Sequence, residues 1–280
     1  MGALDGRVAI ITGAARGLGR EHALLFAAEG AKVVVNDVGP EAEAVAQEIR
    51  DGGGEAVAST HDITSWSGGE QLVALAVSEL GGLDVLVNNA GILRDRMLVS
   101  MSEQEWDEVV AVHMKGHFVP TRFAAAHWRE QAKAGHEVRA SVIHTSSTSG
   151  LIGNPGQTNY GAAKAGIGAF SIICAQELAR YGVRSNCIAP AARTRLTEAT
   201  PGLGEMVAAP AEGFDVWDPA NVSPLVAYLA TADCPITGRT FFAQGGTVRM
   251  LEPWHYGERI ERDDRWTIEQ LAVELPKIVG

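Results

Sequence analysis

The sequence predicts an α/β protein: a doubly wound parallel sheet of about seven strands with helices on both faces. Short β-branched runs alternate with longer amphipathic segments, the first strand runs straight into a glycine-rich turn and a helix, and no linker or repeat divides the chain. The strands expected are RVAIIT, AKVVVND, EAVAST, LDVLVNN, RASVIHTSS, VRSNCIAP and RTFFAQ, each followed by a segment of helical length except the last. Residues 18 to 28 show the helical pattern best, with Leu18, His22, Leu25 and Phe26 on one face. The stretch 198–224, rich in Pro, Gly and Ala, breaks the alternation and reads as a lid over a site. One domain is therefore expected over 1–250, with a C-terminal extension at 251–280 packed on the same domain or on a neighbouring subunit.

Composition narrows the function. The chain has 280 residues, 46% of them hydrophobic, enough to bury one large core. Its 34 acidic and 23 basic residues give a net charge of -11, which disfavours nucleic acid as a partner. Three cysteines, Cys174, Cys187 and Cys234, lack C-x-x-C spacing and sit in apolar surroundings, so packed thiols in a reduced compartment are expected. The N-terminus carries no secretory pattern and no apolar run reaches membrane-spanning length, so a cytoplasmic protein is expected.

The first strand leads into Thr12-Gly13-Ala14-Ala15-Arg16-Gly17-Leu18-Gly19. Glycines there let backbone amides approach a pyrophosphate, and the following helix N-terminus favours its charge. The second strand ends in Asn36-Asp37, 18 residues beyond Gly19, where a carboxylate accepts from the adenine ribose hydroxyls. Arg16 can pair with a 2′-phosphate, whereas Asp37 repels one by roughly a few kcal/mol at an effective dielectric near 20. NAD is therefore expected over NADP. Asp62 and Ile63, ending the third strand, lie where adenine would sit; Asp62 either accepts from the adenine amino group or is a solvated loop acid.

Two strand ends carry small polar groups, Asn88-Asn89-Ala90-Gly91 and Thr145-Ser146-Ser147-Thr148, at the edge where open α/β sheets bind ligands. Then Tyr160 and Lys164 fall one turn apart on a helix. A lysine ammonium at roughly 4 Å favours the phenolate by up to about three pKa units, making Tyr160 a general base with Ser147 donating to the substrate oxygen. Taken alone, Tyr-x-x-x-Lys is usually a surface pair.

The combination of TGAARGLG, NNAG, Ser147 thirteen residues before Tyr160, YGAAK and RSNCIAPA resembles the short-chain dehydrogenase/reductase family, from about residue 5 to 250. The resemblance implies a Rossmann fold and a Ser147-Tyr160-Lys164 trio that moves a proton while hydride passes to or from nicotinamide. It implies that Asn89, Ala90 and Gly91 border the cofactor, that Tyr160 and Lys164 reach the nicotinamide ribose, and that Pro190 to Thr194, including Ala192, line the carboxamide. Ala191 departs from the glycine common after that proline. NNAGILRDR, VHMKGHF and GNPGQTNYGAAK resemble more finely the dehydrogenase part of multifunctional enzymes that oxidise (3R)-hydroxyacyl-CoA with NAD. The chain ends without a peroxisomal tripeptide.

On this reading the substrate is a secondary alcohol, most readily (3R)-hydroxyacyl-CoA. A hydroxysteroid dehydrogenase, a 3-oxoacyl thioester reductase and a non-catalytic NAD-binding regulator are the alternatives. Arg94, Arg96, Arg193 and Arg195 are candidates for a basic rim facing CoA phosphates or for solvated loop charges. Met97, Leu98, Met206, Val207 and Phe214 would line an acyl or steroid pocket equally. Trp254, His255, Tyr256 and Trp266 wall a channel, pack on a neighbour or, as expected for any one of them, pack in the core. Small-molecule substrate aside, the resemblance suggests a homodimer or homotetramer.

His113 and His117 stand four apart in what reads as the middle of a long helix, the spacing of a metal pair. With no third ligand in sight, no metal is expected. In the family the position of His113 is commonly an asparagine that holds a relay water. Either the His113 ring joins that proton relay, with a pKa near neutrality, or only its backbone matters; His117 is expected to be packed.

Overall fold

The computed structural model describes residues 2–194, 197, 207–252 and 254–279. It is an eight-stranded sheet flanked by helices on both faces, in the order β3-β2-β1-β4-β5-β6-β7-β8. The strands are β1 (Val8–Thr12), β2 (Lys32–Asn36), β3 (Ala56–Ser59), β4 (Val85–Asn88), β5 (Ala140–Thr145), β6 (Val183–Pro190), β7 (Thr240–Gln244) and β8 (Thr247–Leu251). The first seven pair in parallel and match the seven expected runs. The eighth turns back antiparallel on β7, with Gly245 at φ +52 in the connection. All five of its residues are polar or partly exposed, so no alternation announced it.

Adjacent strand residues point to opposite faces, and both faces are covered. Ala9 and Ile11 enter a core shared with Ala23 and Phe26 of helix α1 (Gly17–Ala28) and with Ala42, Val45 and Ile49 of α2 (Glu41–Asp51). Val8 and Ile10 enter the other, with Leu72, Val73 and Ala76 of α3 (Trp66–Leu80) and Ala124 and Trp128 of α5 (Gly116–Lys133). That double burial is why these strands read as continuous apolar runs. Residues 103–110 form α4, 148–151 the short α6, 158–178 α7 and 223–230 α8.

The chain order reverses between β1 and β4, so the carboxyl ends of these two strands frame a crevice. Of the segment expected to be a lid, 198–206 lie outside the described residues. From Val207 the chain runs in turns to Asp218, tied back where Trp217 accepts from the Arg193 amide at 2.6 Å and where Arg193 pairs with Asp215. A 3-10 turn, Pro219–Val222, then leads into α8.

Past β8 the extension ends in two short helices, α9 (Ile268–Glu274) and α10 (Pro276–Val279), neither with a buried residue. Core packing of its aromatic residues is corrected: Trp254 is 91% and Tyr256 fully exposed, while Trp266 lies under the Arg262 guanidinium, 5.3 Å from the ring centre. All three cysteines are free and buried. Among the described residues no helix is long and apolar enough to cross a membrane.

Candidate active site

The glycine turn is built by close approach. Gly13 and Gly17 hold left-handed backbone at φ +65 and +52. A Cβ on Gly13 would stand 2.6 Å from the Ala90 Cα, and one on Gly19 would stand 2.2 Å from the Gly13 carbonyl oxygen, so the turn, α1 and the end of β4 fit only without side chains. Leu18 packs on the α1 side of the core and Arg16 is exposed at the helix N-cap. Asp37 sits against this turn: one carboxylate oxygen accepts from the Ala15 amide at 3.3 Å and the other from the Gly39 amide at 3.4 Å. Asp62 is exposed, with Oδ1 taken by the Thr64 amide and hydroxyl, each at 2.8 Å, while Ile63 is buried.

Thr12, absent from the sequence-derived site, ties the two halves together. Its hydroxyl accepts from the Asn89 and Ala90 amides at 3.0 and 3.2 Å, and the Asn89 side chain donates to the carbonyls of Thr12 and Gly13. On the far side Thr194 lies over the turn, its methyl 3.6 Å from where a Gly17 Cβ would stand. Ala192 is buried, and Pro190 ends β6, whose continuation is held by the Ala191 amide on the Ala243 carbonyl at 2.9 Å. The structure thus brings the turn, Asp37, Asn89 to Gly91 and Pro190 to Thr194 around one crevice.

Ser147 N-caps α6, its Oγ accepting from the Ser149 amide at 3.1 Å. Tyr160 and Lys164 lie on α7, with Nζ 5.5 Å from the phenol ring centre. Lys164 is 2% exposed and donates to the Thr145 carbonyl at 2.6 Å. The electrostatics invert the expectation that Lys164 depresses Tyr160. Burial pushes the phenol up to about 12, against a downward pull from the Ser147 hydroxyl, and the Asp95 carboxylate adds to the rise. Burial likewise brings Lys164 down to about 7. Desolvation thus works against the charged form of each group.

His113 does not sit in a regular helix. Residues Ala111–Lys115 form a π turn between α4 and α5, in which the Gly116 amide reaches back to the Ala111 carbonyl. Pro120, inside α5, has no amide to give the Gly116 carbonyl, so the local ladder is already irregular. Gly116 and Gly91 make room: a Cβ on the first would meet Ile63 at 2.9 Å, and on the second the His113 Cε1 at 2.6 Å.

The His113 ring is buried, edge-on to Tyr160 with ring centres 5.2 Å apart. Its Nε2 stands 3.1 Å from the Ile92 amide and 2.8 Å from the Ile92 carbonyl, so either neutral tautomer is satisfied there. Nδ1 has no protein partner. A ring pKa near neutrality is corrected: burial first, then the facing Lys164, brings it down to about 3, so the imidazole is neutral at working pH. His117 is also fully buried, stacked on His144 with ring centres 5.6 Å apart. Among the described residues no group of three or more His, Cys, Asp or Glu stands where it could hold a metal.

The proposed basic rim is already engaged. Arg94 pairs with Glu108 at 2.7 Å, Arg96 with Glu105 at 2.9 Å and Arg193 with Asp215. Arg195 and Met206 lie outside the described residues. Met97, Leu98 and Phe214 are exposed, whereas Val207 is fully buried. Asn159 also escaped sequence reasoning. Fully buried, it donates to the carbonyls of Arg94 and Glu105, each at 3.0 Å, and accepts from the Tyr160 amide, fixing the start of α7. Its place one residue before Tyr160 was the available signal.

A glycine turn opening a doubly wound sheet, with serine, tyrosine and lysine gathered at the carboxyl edge beside it, defines an oxidoreductase of the dinucleotide-binding class. The family model for short chain dehydrogenases matches residues 7–206, and the chain belongs to that family, whose members generally bind NAD or NADP. It is 46% identical to hydroxyacyl-CoA dehydrogenase ChsB1 of Mycobacterium tuberculosis, over 97% of this chain and 88% of that protein. It is 44% identical to peroxisomal multifunctional enzyme type 2 of Drosophila melanogaster, over 88% of this chain but only 40% of that longer protein. A crystal structure of a short chain dehydrogenase from Mycobacterium avium superimposes with a TM-score of 0.91 at 46% identity, covering 100% of this chain and 96% of that one.

Proposed function

We propose that the protein is an NAD-dependent dehydrogenase that oxidises (3R)-hydroxyacyl-CoA to the 3-oxo thioester. The observation that carries the cofactor choice is Asp37, whose carboxylate is fixed by two amides against the glycine turn, where a 2′-phosphate would meet it. The names of the relatives, a hydroxyacyl-CoA dehydrogenase and a multifunctional enzyme, support the substrate class. The crevice fits a dinucleotide because its floor is cut away: side chains at Gly13 or Gly19 would fill the space between turn, helix and β4. Gly13, Arg16, Gly17, Leu18 and Gly19 would hold the pyrophosphate, Asp37 the adenine ribose, Asp62 and Ile63 the adenine. Asn89, Ala90, Gly91, Tyr160 and Lys164 would border the nicotinamide ribose, with Pro190, Ala192 and Thr194 at the carboxamide. NAD bound there supplies a hydride acceptor and a positive ring.

The residues do the rest. Ser147 donates to the substrate oxygen and orients it. Tyr160 takes the hydroxyl proton as general base. In the protein alone its phenol is pushed up to about 12, so turnover needs positive charge beside it, which Lys164 would supply in its charged form. Lys164, held by the Thr145 carbonyl, passes the proton inward, where His113 Nδ1 faces the interior without a protein partner. As a neutral ring anchored at Nε2 whichever tautomer it adopts, His113 serves either as donor or as acceptor to a relay water.

A substrate panel with NAD and NADP tests the reading. Turnover of R but not S hydroxyacyl thioesters, with NAD strongly preferred, is expected. Turnover confined to steroid alcohols would reject the substrate, and equal catalytic efficiency with NADP would reject the role of Asp37.

A further inference from the structure

The stretch Arg94-Asp95-Arg96 alternates outward and inward. The two arginines reach out to Glu108 and Glu105, and Asp95 turns in toward the catalytic residues. Its Oδ2 accepts from the Gln157 side-chain amide at 2.8 Å. The Gln157 carbonyl oxygen accepts from the Ser149 hydroxyl at 2.7 Å and from the Asn154 amide at 3.0 Å. The Ser149 backbone in turn donates to the Ser147 Oγ. Gln157 is 7% exposed, stands three residues before Tyr160, and its own backbone bridges to Arg96. One buried side chain therefore joins the loop after β4, the helix of Ser147 and the helix of Tyr160 and Lys164.

The orientation of Gln157 is dictated by chemistry. Flipped, it would set its carbonyl against the Asp95 carboxylate and its amide against the Ser149 and Asn154 donors. Asp95 has no ion pair among the described residues, and its Oδ1 is buried with no protein partner. The Asp95 charge is thus left to act on Tyr160, which also faces Lys164, the neutral His113 ring and the Ser147 hydroxyl.

We propose that Asp95 and Gln157 act together as positioning residues, Gln157 setting Ser147 against Tyr160 and the Asp95 carboxylate setting the charge against which Tyr160 must ionise. This rests on the general-base reading of Tyr160. The charge and the geometry separate in two variants. Asp95→Asn keeps an acceptor for Gln157 and removes the charge; Gln157→Ala keeps the charge and cuts the junction. Ser149→Ala cuts only the branch to Gln157 while the backbone bond to Ser147 remains, which keeps the question answerable if Gln157→Ala fails to fold.

The assay is the pH profile of kcat for (3R)-hydroxyacyl-CoA oxidation with NAD, alongside NADH binding and thermal unfolding for each variant. Asp95→Asn is expected to move the ascending limb toward acid by at least about 0.5 pH unit. Gln157→Ala is expected to lower the plateau by about tenfold or more, and Ser149→Ala by less, with NADH affinity kept. A purely structural role would lower the unfolding midpoint without moving the limb. An unmoved limb in Asp95→Asn overturns the proposal, as does a wild-type plateau in Gln157→Ala or, should that variant not fold, in Ser149→Ala. Tyr160→Phe run in parallel separates the failures: full activity there overturns the general base itself, whereas its loss beside an unmoved limb in Asp95→Asn overturns only the positioning pair.

Discussion

Mild acid should destabilise this protein well before its carboxylates protonate. His22, His113, His117 and His144 are each fully buried. Burial brings His22, His113 and His144 down to about 3 from 6.5, and His117 well below its ordinary value. Because the folded pKa values are lowered, the unfolded chain takes up protons below pH 6.5 that the folded chain refuses until about pH 3. Stability is therefore lost as pH falls through 6.5, by linkage. Between pH 7 and 5.5 each ring kept neutral by the fold contributes about 1 kcal/mol, so the four together remove about 4 to 5 kcal/mol, against a typical total of about 5 to 15. Denaturant titration at the two pH values reads the loss directly, and unfolding at pH 5.5 should take up about 3.6 protons. A stability change under about 1 kcal/mol, or uptake of less than one proton, would refute the burial of these rings as neutral imidazoles.

Asp37→Ala should raise the NADP to NAD ratio of kcat/KM by at least tenfold, since a repulsion of over 1.4 kcal/mol is removed while Arg16 remains; an unchanged ratio would show that the carboxylate does not face the ribose. Gly91→Ala puts a methyl 2.6 Å from His113 Cε1 and should displace the ring, lowering kcat by about tenfold to a hundredfold in a steady-state assay. Tyr160→Phe should cost about a hundredfold or more in turnover at every pH. His113→Asn should keep most activity, whereas His113→Ala should lose about tenfold, with a larger solvent isotope effect; full activity in the alanine variant means the ring is idle.

The sheet was legible because burial on both faces leaves a parallel strand few polar positions, so seven largely apolar runs stand out from the amphipathic helices between them. Strand β8 was not, because an edge strand with four of its five residues exposed carries neither an apolar run nor alternation. Ser147, Tyr160 and Lys164 could be read from spacing, since serine ends a strand and the other two share a helix face. What spacing could not show was sign: it places a cation near a phenol but says nothing of how deeply both are buried, and here desolvation raises Tyr160 and lowers Lys164.

The same limit explains Gln157 and Asn159. Their long-range partners stand 54 to 65 residues away, two of them backbone carbonyls with no residue identity, so the motif before Tyr160 marks their place but not what they hold. His113 shows the converse. Its four-residue spacing from His117 suggested one helix face, but the π turn and the room left by Gly91 send the two rings to different work. His113 meets Tyr160 and the Ile92 backbone, and His117 stacks on His144 of β5. A metal pair needs two rings converging on one point, and an irregular turn between them is the physical reason that these do not.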